Sequence, residues 1–291
     1  MELGKAIESD WRDFTVRGDV RVRCYTSRPA EPADQRPLVL LHSINAAPSA
    51  MEMRPLFEHW ADHRPVYAPD LPGFGHSQRG PLSYTPALYT GVIEDLLAQI
   101  EGPEPDVIAL SLSSEFLVRA VVEAGVPVRS LTLISPTGLS EREPPSPAAG
   151  QKIRKILDVG WLSRGLWRAL VSGPSIRYFL GQAFYGKAPD RLVNYARQTA
   201  AQPGAADAPF AFLTMQLFSQ QAMATLYSRL DCPTLILYDE DPNIDFNRLP
   251  ELVAQNPAVT ARRIVPTRGL PHWERPEETT TALTEFWQPL T

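Results

Sequence analysis

The chain has only two cysteines, Cys24 and Cys232, too few for a disulfide framework or a four-thiol metal site. They read as two reduced thiols in a cytoplasmic protein. Positive charge is in short supply as well. Lys and Arg number 28 against 33 Asp and Glu, for a net charge of −5, which leaves no electrostatic footprint for nucleic acid or an anionic membrane. No stretch approaches the roughly 20 apolar residues of a membrane span. The opening "MELGKAIESDWRDF" lacks the basic region and apolar core of a signal peptide. The five histidines are scattered, with no H-E-x-x-H pattern and no histidine cluster, so no metal site is expected. Neither "PGFG" nor "RGDV" sits between a strand and a helix as a phosphate loop must. These absences leave a small-molecule substrate as the expected partner, with no cofactor, in a monomer or small homo-oligomer.

What is present is a globular composition, 44% hydrophobic and 21% charged. "FTVRGDVRVRCYTS" alternates apolar and polar residues around Gly18-Asp19, the pattern of a hairpin with a tight turn. "RPLVLLHS", "PVYAPD", "DVIALS", "SLTLIS", "CPTLILYD" and "ARRIV" are short apolar runs of the kind that form strands, several of them buried on both faces. Helical stretches fall between them, one starting at Thr85-Pro86 with a cap and a proline at the first helical position. The alternation predicts an α/β fold, a mostly parallel twisted sheet with helices on both faces.

Residues 140–228 break the alternation. They hold helix-like patterns such as "AAGQKIRKILDVGWLSRGLWRALV" and "PDRLVNYARQTAA" and many aromatics, Trp161, Trp167, Tyr178, Phe179 and Phe184 among them, but no convincing buried strand. The expectation is a core of residues 1–139 and 229–291 with a helical lid, 140–228, over the sheet's carboxyl edge, where open α/β sheets bind ligands. Most of these aromatics are expected to pack the lid.

In "DVIALSLSSEF", Ser111 falls where a buried strand meets a helix. A nucleophile elbow needs small residues two positions to either side of its serine, because the turn is too sharp for bulk there. Ala109 and Ser113 meet that demand, although the usual form has glycine at both.

With "LVLLHSINAAPSA", ending its strand in His42-Ser43, and "APDLPGFGHS" (68–77), the chain resembles the α/β-hydrolases of the lidded, single-domain kind, which include esterases, haloperoxidase-like proteins and carbon–carbon bond hydrolases. The resemblance runs from about Phe14 to the end. It implies an oxyanion hole from the N–H groups of Ile44 and Leu112, with Ser43 in place of the usual glycine, and a linking role for His42. "DLPGFGHS" speaks for the fold rather than for catalysis. The family's acid follows the strand matching "PTLILYDEDPNIDF"; the Asp-Pro pair selects Asp241, with Asp239, Glu240 and Asp245 as rivals.

The family's last loop reads Gly-His-x-Pro-His-x-Glu-x-Pro-Glu, the first histidine being the base. Here "GLPHWERPE" passes from Gly269 to Leu270, and the next histidine is His272, whose counterpart plays a supporting role. Either the shortened loop draws His272 back to the base position, or the site has no base. One deleted residue moves the chain by up to roughly 3.5 Å, a shift of the right size. The reading carried forward is a serine hydrolase that cleaves an ester or related acyl bond of a small apolar substrate. Ser111 is its nucleophile, His272 its base and Asp241 the acid that orients the base. The alternatives are a catalytically disabled binding protein on the same fold, or a lyase or cyclase using the pocket with Glu115 or His272.

Overall fold

The computed structural model describes residues 3–145 and 160–290, with the side chains of 160–164 left aside. Of the expected helical pattern that opens at Ala148, the part up to 159 lies outside the described residues.

Eight strands form one sheet in the order β1-β2-β4-β3-β5-β6-β7-β8. The predicted hairpin is β1 (Asp10–Val16) and β2 (Val20–Ser27), paired antiparallel, and β2 pairs antiparallel with β4 (Val66–Pro69). The remaining neighbours run parallel: β3 (Leu38–Leu41), β5 (Asp106–Leu110), β6 (Ser130–Ile134), β7 (Thr234–Glu240) and β8 (Val259–Arg268). Their apolar runs bury on two faces, as the unbroken pattern requires. Val39, Leu41, Val107, Ala109 and Ile236 enter one core, while Leu38, Leu40, Ile108, Leu110, Leu235 and Leu237 enter the other.

The helices α1 (Arg54–Trp60), α2 (Pro86–Ala98) and α3 (Ser113–Ala124) link the central strands. The Thr85 hydroxyl accepts from Leu88 N at 3.1 Å, capping α2 as expected. Between β6 and β7 every described element is helical: α4 (Gly160–Leu170), α5 (Gly173–Gln182), α6 (Asp190–Ala200), α7 (Asp207–Leu213), the short α8 (Ala222–Thr225) and a 3-10 turn. This insertion packs into both cores: Ile176, Phe184 and Leu192 on one face, Leu217, Met223 and Tyr227 on the other. The helices α9 (Leu249–Gln255), α10 (Pro271–Glu274) and α11 (Pro276–Trp287) complete the described chain.

The "DLPGFGHS" segment shows why it is so constrained. The Asp70 carboxylate accepts from Ala50 N and His76 N, each at 2.8 Å, and fixes the loop after β4 to the loop after β3. Gly75, at φ +49°, lies against that carboxylate so closely that a Cβ would come within 1.9 Å of it. Only glycine fits there.

Candidate active site

Ser111 follows the last residue of β5 and adopts φ +55°. This left-handed conformation is costly for a side-chain-bearing residue, and proteins hold such residues mainly where function or packing imposes them. The Ser111 N–H donates to Ile134 O at 2.8 Å, fastening the turn to β6. The flanking positions account for the departures from glycine. Ala109 is fully buried in the sheet, and the Ser113 hydroxyl donates to His42 O at 2.5 Å, joining the elbow to the end of β3. Ser111 itself is partly exposed, and its Oγ makes no hydrogen bond to a described residue.

Glu52, which sequence reasoning passed over, organises the loop after β3. Its buried carboxylate accepts from Ser43 N at 2.9 Å, from Ser43 Oγ at 3.1 Å and from Asn45 Nδ2 at 3.1 Å. Burial raises its pKa against the lowering effect of these donors. Ser43, in the usual glycine's place, is therefore held by a second hydrogen bond that glycine could not make. The signal was available: Glu52 is the one acid in the apolar stretch "SAMEMRPLF". Among the described residues, no hydrogen bond engages the N–H of Ile44 or of Leu112.

His42 links loops, as the resemblance implied. Its Nε2 accepts from Leu71 N at 2.8 Å, so the proton sits on Nδ1, which donates to Ser43 O at 2.6 Å. Burial depresses its pKa to about 4.

The acid loop separates the rivals. Asp239 is buried and committed, with Oδ1 accepting from Arg263 Nε and Oδ2 from Thr267 N, each at 2.7 Å. Glu240 and Asp245 are exposed. Asp241 Oδ1 accepts from Asn243 N at 2.8 Å, and its Oδ2 lies 2.8 Å from where a Cβ on Gly269 would stand. Desolvation raises its pKa to about 6. Asp241 thus faces the glycine after which the family places its histidine. A cleft of about 280 Å³ opens beside it, lined by Asp239, Ile244, Phe246 and Arg268 among others. The Ser135 hydroxyl, at the end of β6, donates to Gly269 O at 3.2 Å, so neighbouring strand ends meet around this point.

Among the described residues, the structure does not join His272 by a hydrogen bond to either of its expected triad partners. Its ring is fully buried, and Nε2 donates to the main-chain carbonyl of Glu52 at 2.8 Å. Trp273 Nε1 donates to the same oxygen at 2.7 Å. No hydrogen bond joins His272 to Ser111 or Asp241 among the described residues. The cause is local. Gly269, at φ +97°, turns the chain out of β8, and Pro271 immediately starts α10. Residue 272 is then inside a helical turn packed against α1, while buried Leu270 fills the position after the glycine. Burial depresses the His272 pKa to about 4 and keeps the ring neutral. Glu115 is no substitute: its carboxylate accepts from the Thr137 hydroxyl and from Ser219 N at 2.7 Å, binding α3 to the returning insertion.

Comparison with known proteins agrees with this architecture. The chain matches the model of the alpha/beta hydrolase family over residues 38–282. No curated protein sequence matches it. Among solved structures, it resembles a serine hydrolase involved in carbazole degradation, with TM-score 0.75, 15% identity, and coverage of 96% of this chain and 100% of that one. It also resembles a thermophilic esterase from Thermogutta terrifontis, with TM-score 0.74, 17% identity and coverage of 97% and 99%. A meta-cleavage product hydrolase from Pseudomonas fluorescens aligns at TM-score 0.73, with 14% identity and coverage of 96% and 98%. The match spans the elbow, the acid loop and the shortened last loop together, and this chain belongs to the alpha/beta hydrolase family.

Proposed function

We propose that this chain is a ligand-binding member of its family, in which a small apolar or aromatic molecule lodges over Ser111 without triad hydrolysis. One observation carries the reading: the only histidine of the last loop is turned away and bonded to Glu52 O. A serine hydroxyl is a weak nucleophile until a base within about 2.6–3.2 Å takes its proton, and no described residue hydrogen-bonds to Ser111 Oγ. The insertion serves as the lid, and Ile244 and Phe246 are the apolar part of the cleft beside Asp241, whose remaining wall is Asp239, Glu240, Asp241, Asp245 and Arg268.

A second reading, hydrolysis of an ester through an acyl-enzyme on Ser111, draws support from the left-handed elbow and the unengaged N–H groups of Ile44 and Leu112. Such donors are each worth roughly 3–4 kcal/mol to an oxyanion. That reading needs a base from outside the last loop.

A fluorophosphonate probe separates the two. The binding reading expects labelling of the wild type no faster than of Ser111→Ala. It also expects aromatic esters or acids to raise the melting temperature of the wild type but not of Ser111→Trp, which fills the site. Rapid labelling confined to Ser111 would establish the hydrolase instead.

A further inference from the structure

The net charge of −5 averages over unlike parts of the chain. From Gly165 to Ala200 the insertion carries five Lys and Arg, all exposed, against a single acid, Asp190. Every exposed Phe, Tyr or Trp among the described residues falls on the same stretch: Tyr178, Phe179 and Tyr185. The helix α5 brings the two features together. Its inner side is apolar and covered, with Ile176 buried and Leu180 packed against the core. On its outer side Tyr178, 62% exposed, stands between Arg177 and Phe179, 57% exposed, and the two rings meet at 5.4 Å between centroids. A helix that is apolar on opposite sides is ordinarily covered on both. Basic side chains surround the uncovered one. Arg177 Nη1 and Lys187 Nζ share the Asp190 carboxylate at 2.9 Å and 2.7 Å, which leaves net positive charge there. Arg197 lies at the start of the helix, its Nε 3.1 Å from where a Cβ on Gly173 would stand. The helix itself holds no acid.

We propose that the outer face of α5 docks on an anionic lipid surface, with Tyr178 and Phe179 seated among the headgroups and Arg177, Lys187 and Arg197 facing the lipid charge. Charge complementarity selects this occupant. A tyrosine presents an apolar body and a polar tip, which suits the headgroup layer. Each Lys or Arg held near an anionic bilayer adds an attraction that fades within a Debye length. A second copy of the chain, paired about a two-fold axis, would set this basic face against itself. The contact is peripheral: among the described residues no helix is long and apolar enough to cross a membrane. The proposal does not rest on the reading of Ser111.

The test sediments the full-length protein with vesicles of phosphatidylcholine alone and of phosphatidylcholine mixed with phosphatidylglycerol. The wild type is expected to pellet with the mixed vesicles, to bind the neutral ones at least about tenfold more weakly, and to be released as salt is raised. Tyr178→Ser combined with Phe179→Ser should weaken binding to the mixed vesicles by about tenfold or more. Lys187→Gln should weaken it by about fivefold, and Ser111→Ala should leave it unchanged. All three altered side chains of the face are exposed, so the variants should melt with the wild type; if one does not, the two vesicle types compared on the wild type decide alone. No pelleting with mixed vesicles, equal binding to both types, or a folded double variant that binds as the wild type does would overturn the proposal. So would light scattering that finds a dimeric wild type and a monomeric double variant, since a second copy would then cover the face.

Discussion

The His272 imidazole and the Glu52 main-chain carbonyl, 2.8 Å apart, join the last loop to the segment that precedes α1. Through its carboxylate the same Glu52 holds Ser43 and Asn45 at the end of β3. One residue therefore occupies the histidine at one end and shapes the loop beside the elbow at the other.

The missing base can be restored. Inserting a histidine between Gly269 and Leu270 places an imidazole next to the Asp241 carboxylate, which already faces Gly269. Hydrolysis of p-nitrophenyl acetate should rise by at least about 10²-fold, the usual contribution of a positioned base. Adding Ser111→Ala to the insertion should remove the gain. An insertion variant that folds and stays inert would show that the elbow and Asp241 are not arranged for catalysis.

Ser111 bears backbone strain that glycine would not. With φ at +55°, Ser111→Gly should stabilise the protein by about 1 kcal/mol, since left-handed non-glycine residues cost on the order of 1–3 kcal/mol. Urea unfolding of the two proteins measures it.

Asp241 sets a pH dependence. Its folded pKa of about 6 lies above the ordinary 3.8, so the folded state binds the extra proton and stability falls as pH rises from about 4 to about 6. The loss levels off above that, at up to about 3 kcal/mol. Asp241→Asn should therefore stabilise the protein at pH 8 and change little at pH 4. Equal effects at both values would place the cause outside this carboxyl.

A buried ionic knot lies at the opposite edge of the sheet. Asp106 accepts from Arg64 Nη2 at 2.7 Å, from Arg129 Nε at 2.9 Å and from Ser130 Oγ at 2.5 Å. Asp106→Asn leaves two guanidinium groups poorly compensated and should cost about 3–5 kcal/mol. Asp34, half-exposed and 3.7 Å from Arg64, should tolerate Asp34→Asn with a loss below about 1 kcal/mol. Melting temperatures of the two variants test the contrast.

The sheet was legible because its strands are short apolar runs between proline and polar punctuation, as Leu38–Leu41 shows. Ser111 could be placed from the strand-to-helix junction, and the Asp-Pro pair picked out the aspartate that faces Gly269. The direction of His272 could not be read in this way. It depends on a helical turn begun by Pro271 and on a carbonyl acceptor at Glu52, far away in the chain. Residue spacing reports the length of a loop, whereas the partner that captures a side chain comes from tertiary packing. Glu52 stands out as the one acid of its apolar stretch, but that its loop folds back to bring Ser43 and Asn45 onto its carboxylate is a tertiary fact that spacing does not report.

The insertion between β6 and β7 has its apolar side chains in both cores, with Phe184 on one face of the sheet and Tyr227 on the other. It is therefore not a cassette. Excising it would open two interiors at once, and a graft from a relative would have to fit both. Recombination between members of this fold should succeed here only when the outer helices travel together with the central strands beneath them.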